Sequence, residues 1–339
     1  MKRILSILTA ILILICNTTV ALANDTYLTE YWTEDSQVAQ NIIDYVLDVT
    51  DEESLNFIPV EDRIAVFDLD GTLINENYPR CFEWMMFVDY ALKHHVSDEV
   101  RNTAQEIIDT KWGTKPSNMS YRQAKAAARA YEGMTTEELY NYAIAFKSSK
   151  AEGFTNLTRG DAWYLPMLEL VEFLQEKQFT IYIVSASETY TVRAVVNGYI
   201  DIPEQNIIGT EFGLRASNQS VEADMNYQYQ NTDVIVYSGE YYGENAKQAK
   251  VISIMRYIGK QPVLAFGNSS GDISMMDYCL INNYYISKAY MVVNDDDVRE
   301  YGSEESANKT KETCEEHGFE VISMKDDFRT IYGEDVIKK

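Results

Sequence analysis

Two aspartates one residue apart, Asp68 and Asp70, stand inside the stretch IAVFDLDGTL. Four apolar residues, Ile64 to Phe67, run straight into them, and Gly71 and Thr72 follow. Like charges side by side repel, and each loses hydration near a packed core, so a bound cation is the usual means of offsetting the cost. A phosphate monoester poses the matching problem: it is anionic and repels nucleophiles until a cation neutralises it. Asp68, at the tip of a strand, suits an in-line nucleophile that forms an aspartyl phosphate. Asp70 points the same way and suits the acid that protonates the leaving alcohol and then activates water. Gly71 lets the chain turn closely past the phosphate, and Thr72 holds that turn. Alone, a pair of this spacing also serves as a metal-chelating loop in nucleotide-sugar transferases or as a solvated turn. The apolar strand before it and the Gly-Thr after it favour phosphoryl chemistry.

Two further apolar runs end in polar residues. FTIYIV leads to Ser185, Ala186 and Ser187, and PVLAF to Gly267, Asn268, Ser269 and Asp272. Strands alternate with helices here: PMLELVEFLQEK, ETYTVRAVVNGY and AKVISIMRYIG read as helical, AYMVV and FEVIS as short strands, and 205–243 as short strands and hairpins. That alternation argues for an α/β fold with a parallel sheet, whose carboxyl ends gather polar residues at one edge. Residues 34–50 form an amphipathic helix with Val38, Ile42, Tyr45 and Val49 on its stripe. From Cys81 to about residue 150 the pattern is wholly helical, with Ser97 and Thr135 as N-caps and Thr135 with Glu138 as a capping box. Ser185 with Glu188 also has capping-box spacing, and Asp272 suits a helix cap, so each has a structural reading beside its chemical one. Lys247 and Lys250 both lie near the start of a helix between the second and third strands.

With these residues in order, the chain resembles the haloacid dehalogenase superfamily of phosphohydrolases. FDLDGTL is similar to its first motif, IVSAS to its second, a helix-borne lysine to its third and GNSSGD to its fourth, over roughly residues 60–285. The resemblance implies a Rossmann-like parallel sheet (24–79 and 160–339) with an inserted helical cap (80–159), similar to phosphoserine phosphatase-like members. A closer similarity is to bacterial members with a stretch like RYIGKQPVLAFGNSSGD. It implies a magnesium-dependent phosphomonoesterase acting on a small phosphorylated metabolite. Asp68, Asp70, Ser185 and Lys250 would be catalytic, with Lys250 selected over Lys247 by the similarity. Gly71, Thr72, Ser185, Ala186 and Lys250 would hold the phosphate, and Asp68, the Asp70 backbone carbonyl, Asn268 and Asp272 the Mg2+. A phosphotransferase of the same fold, or a non-catalytic binding protein, are the rival expectations. The amide at Asn268, where many members carry aspartate, is the one feature favouring the last.

The totals bound the partners. The 339 residues carry a net charge of −24, which disfavours nucleic acid and means that an anionic substrate needs a local positive centre. Lys2 and Arg3, the apolar run Ile4 to Ile15 and Ala21-Leu22-Ala23 read as a secretory signal peptide, residues 1–23. Its apolar run is too short to span a bilayer, so a secreted or periplasmic protein with no membrane attachment is expected; Cys16 follows a bulky Ile15, a poor lipidation site. Cys81, Cys279 and Cys314 are scattered and lack metal spacing. Trp84, Trp112, Tyr121 and Tyr131 are expected in the core of the cap, or as a wall that recognises substrate.

Overall fold

The computed structural model describes residues 27–76, 80–110, 118–220 and 226–339. The expected leader, 1–23, and Trp112 lie outside the described residues. In chain order, α1 (Gln37–Thr50) precedes β1 (Ile64–Phe67), and four helices follow: α2 (Phe82–Lys93), α3 (Asp98–Asp109), α4 (Met119–Ala130) and α5 (Thr136–Phe146). Next come β2 (Phe154–Thr155), α6 (Leu165–Glu176), β3 (Thr180–Glu188), α7 (Thr189–Val196), β4 (Ile207–Thr210), β5 (Phe212–Ala216) and β6 (Ile235–Tyr241). The chain continues through α8 (Gln248–Ser253), β7 (Leu264–Gly267), α9 (Ile273–Leu280), β8 (Lys288–Val293), α10 (Glu304–His317), β9 (Glu320–Ser323) and β10 (Ile337–Lys338).

Six of these strands form one parallel sheet in the order β4-β3-β1-β7-β8-β9. The short apolar runs belong in such a sheet because both of its faces are covered by helices. In β1 every residue is buried: Ala65 and Phe67 feed the larger core, Ile64 and Val66 the smaller one on the opposite face. Phe67, Phe266 and Tyr290 stack across β1, β7 and β8 with centroids 4.3 and 5.1 Å apart, which locks the register at the central strands. The α1 stripe is buried as expected, and the Tyr45 hydroxyl donates to the Val263 carbonyl at 3.2 Å and the Ile286 carbonyl at 3.0 Å. This is the Rossmann-like α/β architecture with a helical insertion after its first strand.

The insertion follows β1 and the turn after it, and two of its helix starts carry the caps expected from the sequence. Ser97 caps α3, and Thr135 and Glu138 form the capping box of α5. The hairpin β5–β6, which the expected division leaves with the core, is hydrogen-bonded to the insertion as well. Gly133 N donates to Tyr237 O at 2.9 Å and Tyr237 N to Met134 O at 2.8 Å. Two local expectations are corrected. Glu188, not Ser185, caps α7, its Oε2 accepting from Thr191 N at 2.8 Å, because β3 runs on through Glu188. AKVISIMRYIG is not one α-helix: α8 passes into a π-helical turn, Ile254–Ile258, closed by Gly259 at φ +73°.

Candidate active site

The carboxyl ends of β1, β3 and β7 meet at one edge. Asp68 N donates to Phe266 O at 2.9 Å, so the pairing of β1 with β7 continues up to the aspartate itself. Above them lies a cavity of roughly 520 Å³, whose wall includes Asp68, Asp70, Ala186, Lys250, Asn268 and Asp272. The turn after Asp70 needs Gly71: its φ is +84°, and an added Cβ would stand 1.9 Å from Asn268 Nδ2. Gly71 thus packs against the fourth motif. Thr72 is fully buried, its Oγ1 without a hydrogen-bond partner among the described residues.

Lys250 is the ammonium of the site. Its Nζ donates to Asp68 Oδ1 at 2.6 Å and to Asp272 Oδ1 at 2.7 Å, with all three side chains buried, whereas Lys247 is exposed. Burial opposes the ammonium, but Asp272 and Asp68 outweigh it and hold Lys250 above the ordinary lysine range. One cation does not balance two buried carboxylates. Burial and Asp272 outweigh Lys250 and hold Asp68 well above the usual carboxylate range. Burial pushes Asp70 up to about 6, with a hydrogen bond from Ser187 and the charge of Lys250 pulling the other way.

A bulge decides which serine faces the cavity. Val184 pairs with Ile208 and Glu188 with Thr210, so four steps along β3 span two along β4. The bulge brings Ala186 and Ser187 to the wall, and Ser187 Oγ donates to Asp70 Oδ2 at 2.6 Å. Ser185 lies beneath, fully buried, its Oγ accepting from Ser187 N at 3.1 Å. A polar layer under the bulge fixes it: Asn245 Nδ2 donates to Ser185 O at 3.0 Å and Thr210 Oγ1 to Ala186 O at 2.6 Å. Sequence reasoning missed Ser187 as a functional group, although it stands two residues from Ser185 in the same motif.

At the third strand end, Asp272 organises the loop. Its Oδ2 accepts from Asn268 N and Ser269 N, each at 3.1 Å, and an added Cβ on Gly267 would approach Asp272 Cβ to 2.4 Å. Asn268 Nδ2 donates to Glu76 Oε2 at 2.8 Å, bringing to the site a carboxylate that sequence reasoning missed. Among the described residues no three His, Cys, Asp or Glu side chains are gathered as a metal site. The expected donors nonetheless suit a hard cation: all are oxygens, one an amide and one a backbone carbonyl. Asp70 Oδ1 is buried without a hydrogen-bond partner among the described residues, and the surplus negative charge around Lys250 is what such a cation would relieve.

Two further groups missed from sequence come from the insertion. Glu83 on α2 and Gln123 on α4 are 5% and 2% exposed, and both line the cavity. Burial, Glu188 and Asp70 push Glu83 up to about 8. The aromatic residues divide. Trp84 lines the cavity, Tyr131 is fully buried in the core, and Tyr121 is exposed with its ring against Tyr241. Trp84→Ala should therefore change relative kcat/KM among phosphomonoesters at near-normal melting temperature. Tyr131→Ala should cost about 3–5 kcal/mol of stability, as large buried aromatics do. Thermal melts beside a substrate panel check both; a uniform loss over the panel in Trp84→Ala would make it packing only. His94 and His95 follow the end of α2 at Lys93; both are exposed, and His94 stacks on Tyr90.

A family model described as haloacid dehalogenase-like hydrolase matches residues 65–277. Among solved structures, the chain is similar to a conserved functionally unknown protein from Anaerococcus prevotii DSM 20548. That likeness has 14% identity and a TM-score of 0.53, over 91% of this chain and 99% of the other. A protein of unknown function from Bordetella pertussis Tohama I gives 13% identity and a TM-score of 0.48 over 77% and 97%. Cytosolic 5'-nucleotidase IIIB bound to cytidine gives 10% identity and a TM-score of 0.46 over 85% of each chain. The first of these bears on the fold alone. No curated protein matches the chain.

Proposed function

Because the chain belongs to the haloacid dehalogenase-like hydrolase family, we propose that it is a magnesium-dependent phosphomonoesterase working through an aspartyl phosphate. The observation that carries the reading is Lys250, buried between Asp68 and Asp272 with Asp70 beside them. Lys250 occupies Oδ1 of Asp68, and no hydrogen bond among the described residues engages Oδ2, the oxygen that would attack phosphorus in line. As the new P–O bond forms, the bond from phosphorus to the alcohol oxygen breaks, and Asp70 gives its proton to that oxygen. Asp70 then takes a proton from water, the water oxygen attacks phosphorus, and the bond to Asp68 breaks to release phosphate. Ser187 holds Asp70 in place, and Lys250 balances charge on Asp68 and the phosphoryl oxygens. Asp68, the Asp70 carbonyl and Asn268 would hold magnesium, with Asp272 fixing their loop. Bound there, the ion would neutralise phosphoryl charge.

The reading includes export to the periplasm or medium, on the leader-like residues 1–23, and a small phosphorylated substrate enclosed by the insertion and hairpin. No helix among the described residues is long and apolar enough to cross a membrane. The test is phosphate release from varied phosphomonoesters by the mature protein, with magnesium and with chelator. Release that needs no divalent ion, or none from any ester, would overturn the proposal.

The fourth motif yields a separate expectation. Asp272→Ala unties Asn268 and Ser269 and leaves Lys250 with Asp68 as its carboxylate partner, so stability should fall by about 1–3 kcal/mol and turnover should collapse. Asn268→Asp puts a carboxylate against Glu76 and adds charge to the cation site, so magnesium should raise its melting temperature more than that of the native protein. Magnesium titrations followed by thermal melting check both. Normal metal binding and turnover by Asp272→Ala would show that other residues build the site.

A further inference from the structure

The chain beyond the sheet turns back to the insertion. After β9, Leu165 N donates to Ile331 O at 2.9 Å, and β10 pairs antiparallel with β2, Ile337 opposite Thr155 and Lys338 opposite Phe154. Ala151, Phe154, Leu157 and Ala162 form a small apolar cluster distinct from the two cores of the sheet, with Tyr301, Tyr332 and Val336 packed against it. The rings of Tyr301 and Tyr332 meet Phe154 edge-on, with centroids 5.5 and 5.3 Å away. Residues 151–162 carry the chain from the insertion back to the core, so the tail grips one of the two strands on which the insertion is mounted.

The same tail reaches the other strand. Asn75, a few residues after Asp70, stands where the chain leaves for the insertion, and its backbone N donates to Ala162 O at 2.9 Å. Its Nδ2 donates to Glu300 Oε2 and to the Tyr332 hydroxyl, each at 2.9 Å, and that hydroxyl donates to the same Glu300 oxygen. Tyr301 N donates to Glu300 Oε1 at 2.7 Å. Glu300 is fully buried, and these donors are all neutral. A carboxylate enclosed among neutral donors costs more to bury than an amide, so packing gives no reason for it. What the charge adds is strength, since an ionised acceptor bonds about twice as strongly as a neutral one. Between Asp70 and Asn75 the chain is a closed turn: Gly71 N donates to Ile74 O at 2.7 Å, and Ile74 N to Leu69 O at 3.1 Å. A shift at Asn75 is therefore passed on to Asp70.

We propose that Asn75, Glu300 and Tyr332 are positioning residues for the acid Asp70, anchoring the turn after β1 to the C-terminal tail while Ser187 holds the Asp70 carboxyl. Their effect passes through the backbone of the turn. The inference rests on the phosphatase reading for the role of Asp70, but not for the anchor itself.

Asn75→Ala breaks both side-chain bonds and leaves Glu300 with Tyr332 and Tyr301, whereas Glu300→Gln keeps the shape and removes the charge. Each should lower kcat for alkyl phosphates about 10- to 100-fold, the scale of a small misplacement of a catalytic group, with KM changed less than about twofold. For p-nitrophenyl phosphate, whose leaving group needs no proton, formation of the aspartyl phosphate in a single turnover should fall about threefold or less. The double variant should be no worse than the poorer single, because both changes cut one link. Amide hydrogen exchange read by mass spectrometry should speed up over residues 71–76 in both variants. Equal losses with the two ester types in a variant that melts normally, or losses that multiply in the double variant, overturn the positioning role. Should Glu300→Gln fail to fold, Asn75→Ala carries the ester comparison and the exchange measurement alone. Unchanged exchange over 71–76 overturns the anchor, whether or not any ester is cleaved. If the native protein cleaves no ester, the phosphatase reading and the role toward Asp70 fall together, and exchange still decides the anchor.

Discussion

Asp68→Asn should lose at least about 10,000-fold in kcat, the scale on which enzymes suffer when a covalent nucleophile is removed. The amide is nearly isosteric with the carboxylate, and Lys250 can still donate to the Asn oxygen while keeping its bond to Asp272. Folding should therefore survive. Burial and Asp272 already hold Asp68 above the usual carboxylate range, so removing its charge relieves repulsion as well as an attraction. What disappears is the oxygen that forms a bond to phosphorus. Steady-state hydrolysis of p-nitrophenyl phosphate, a thermal melt and binding of a fluoroberyllate mimic of the aspartyl phosphate check the three parts together. A normal melt with no turnover and no fluoroberyllate complex is the expected result; undiminished hydrolysis would end the mechanism.

Asp70→Asn should separate acid catalysis from the construction of the site. The backbone carbonyl that would face the cation is untouched, and Ser187 Oγ can donate to the new amide oxygen as it does to Asp70 Oδ2. Only the transferable proton is lost. For alkyl phosphates, whose leaving oxygen needs that proton, kcat should fall about 100- to 10,000-fold. For p-nitrophenyl phosphate, whose leaving group is stable as an anion, formation of the aspartyl phosphate should suffer much less. Its breakdown still needs a base, so a burst of p-nitrophenolate followed by slow turnover is expected. Single-turnover kinetics with both ester types make the comparison. Equal losses in the first step would show that another group supplies the proton.

Ser187 and Ser185 show why such a site is only partly legible from one chain. A strand pattern says that IVSAS stops being apolar at residue 185, and that a parallel sheet gathers such ends at one edge. It does not say that β3 bulges against β4 there, since the bulge arises between two strands with α7 between them in sequence and is held by Thr210 of β4 and by Asn245 beyond it. The same holds for the paired lysines. Both sit near the start of one short helix, and only the packing of α8 against α9 puts Lys250 between two aspartates and leaves Lys247 outside.

By itself the sequence determined the parallel α/β core, the run of helices from α2 to α5, the caps of α3 and α5 and the two aspartates at the tip of β1. Each of these is written in neighbouring residues: an apolar run, a 3.6-residue stripe, a Thr three positions from a Glu, a Gly where the turn requires positive φ. Tertiary structure alone decided which serine meets Asp70, that the β5–β6 hairpin joins the insertion, that Glu76 answers Asn268, and that Glu83 and Gln123 face the cavity. Those choices set one element's hydrogen bonds and charges against another's, and on an otherwise amphipathic helix a buried Glu or Gln looks like any solvated one until the chain is folded around it.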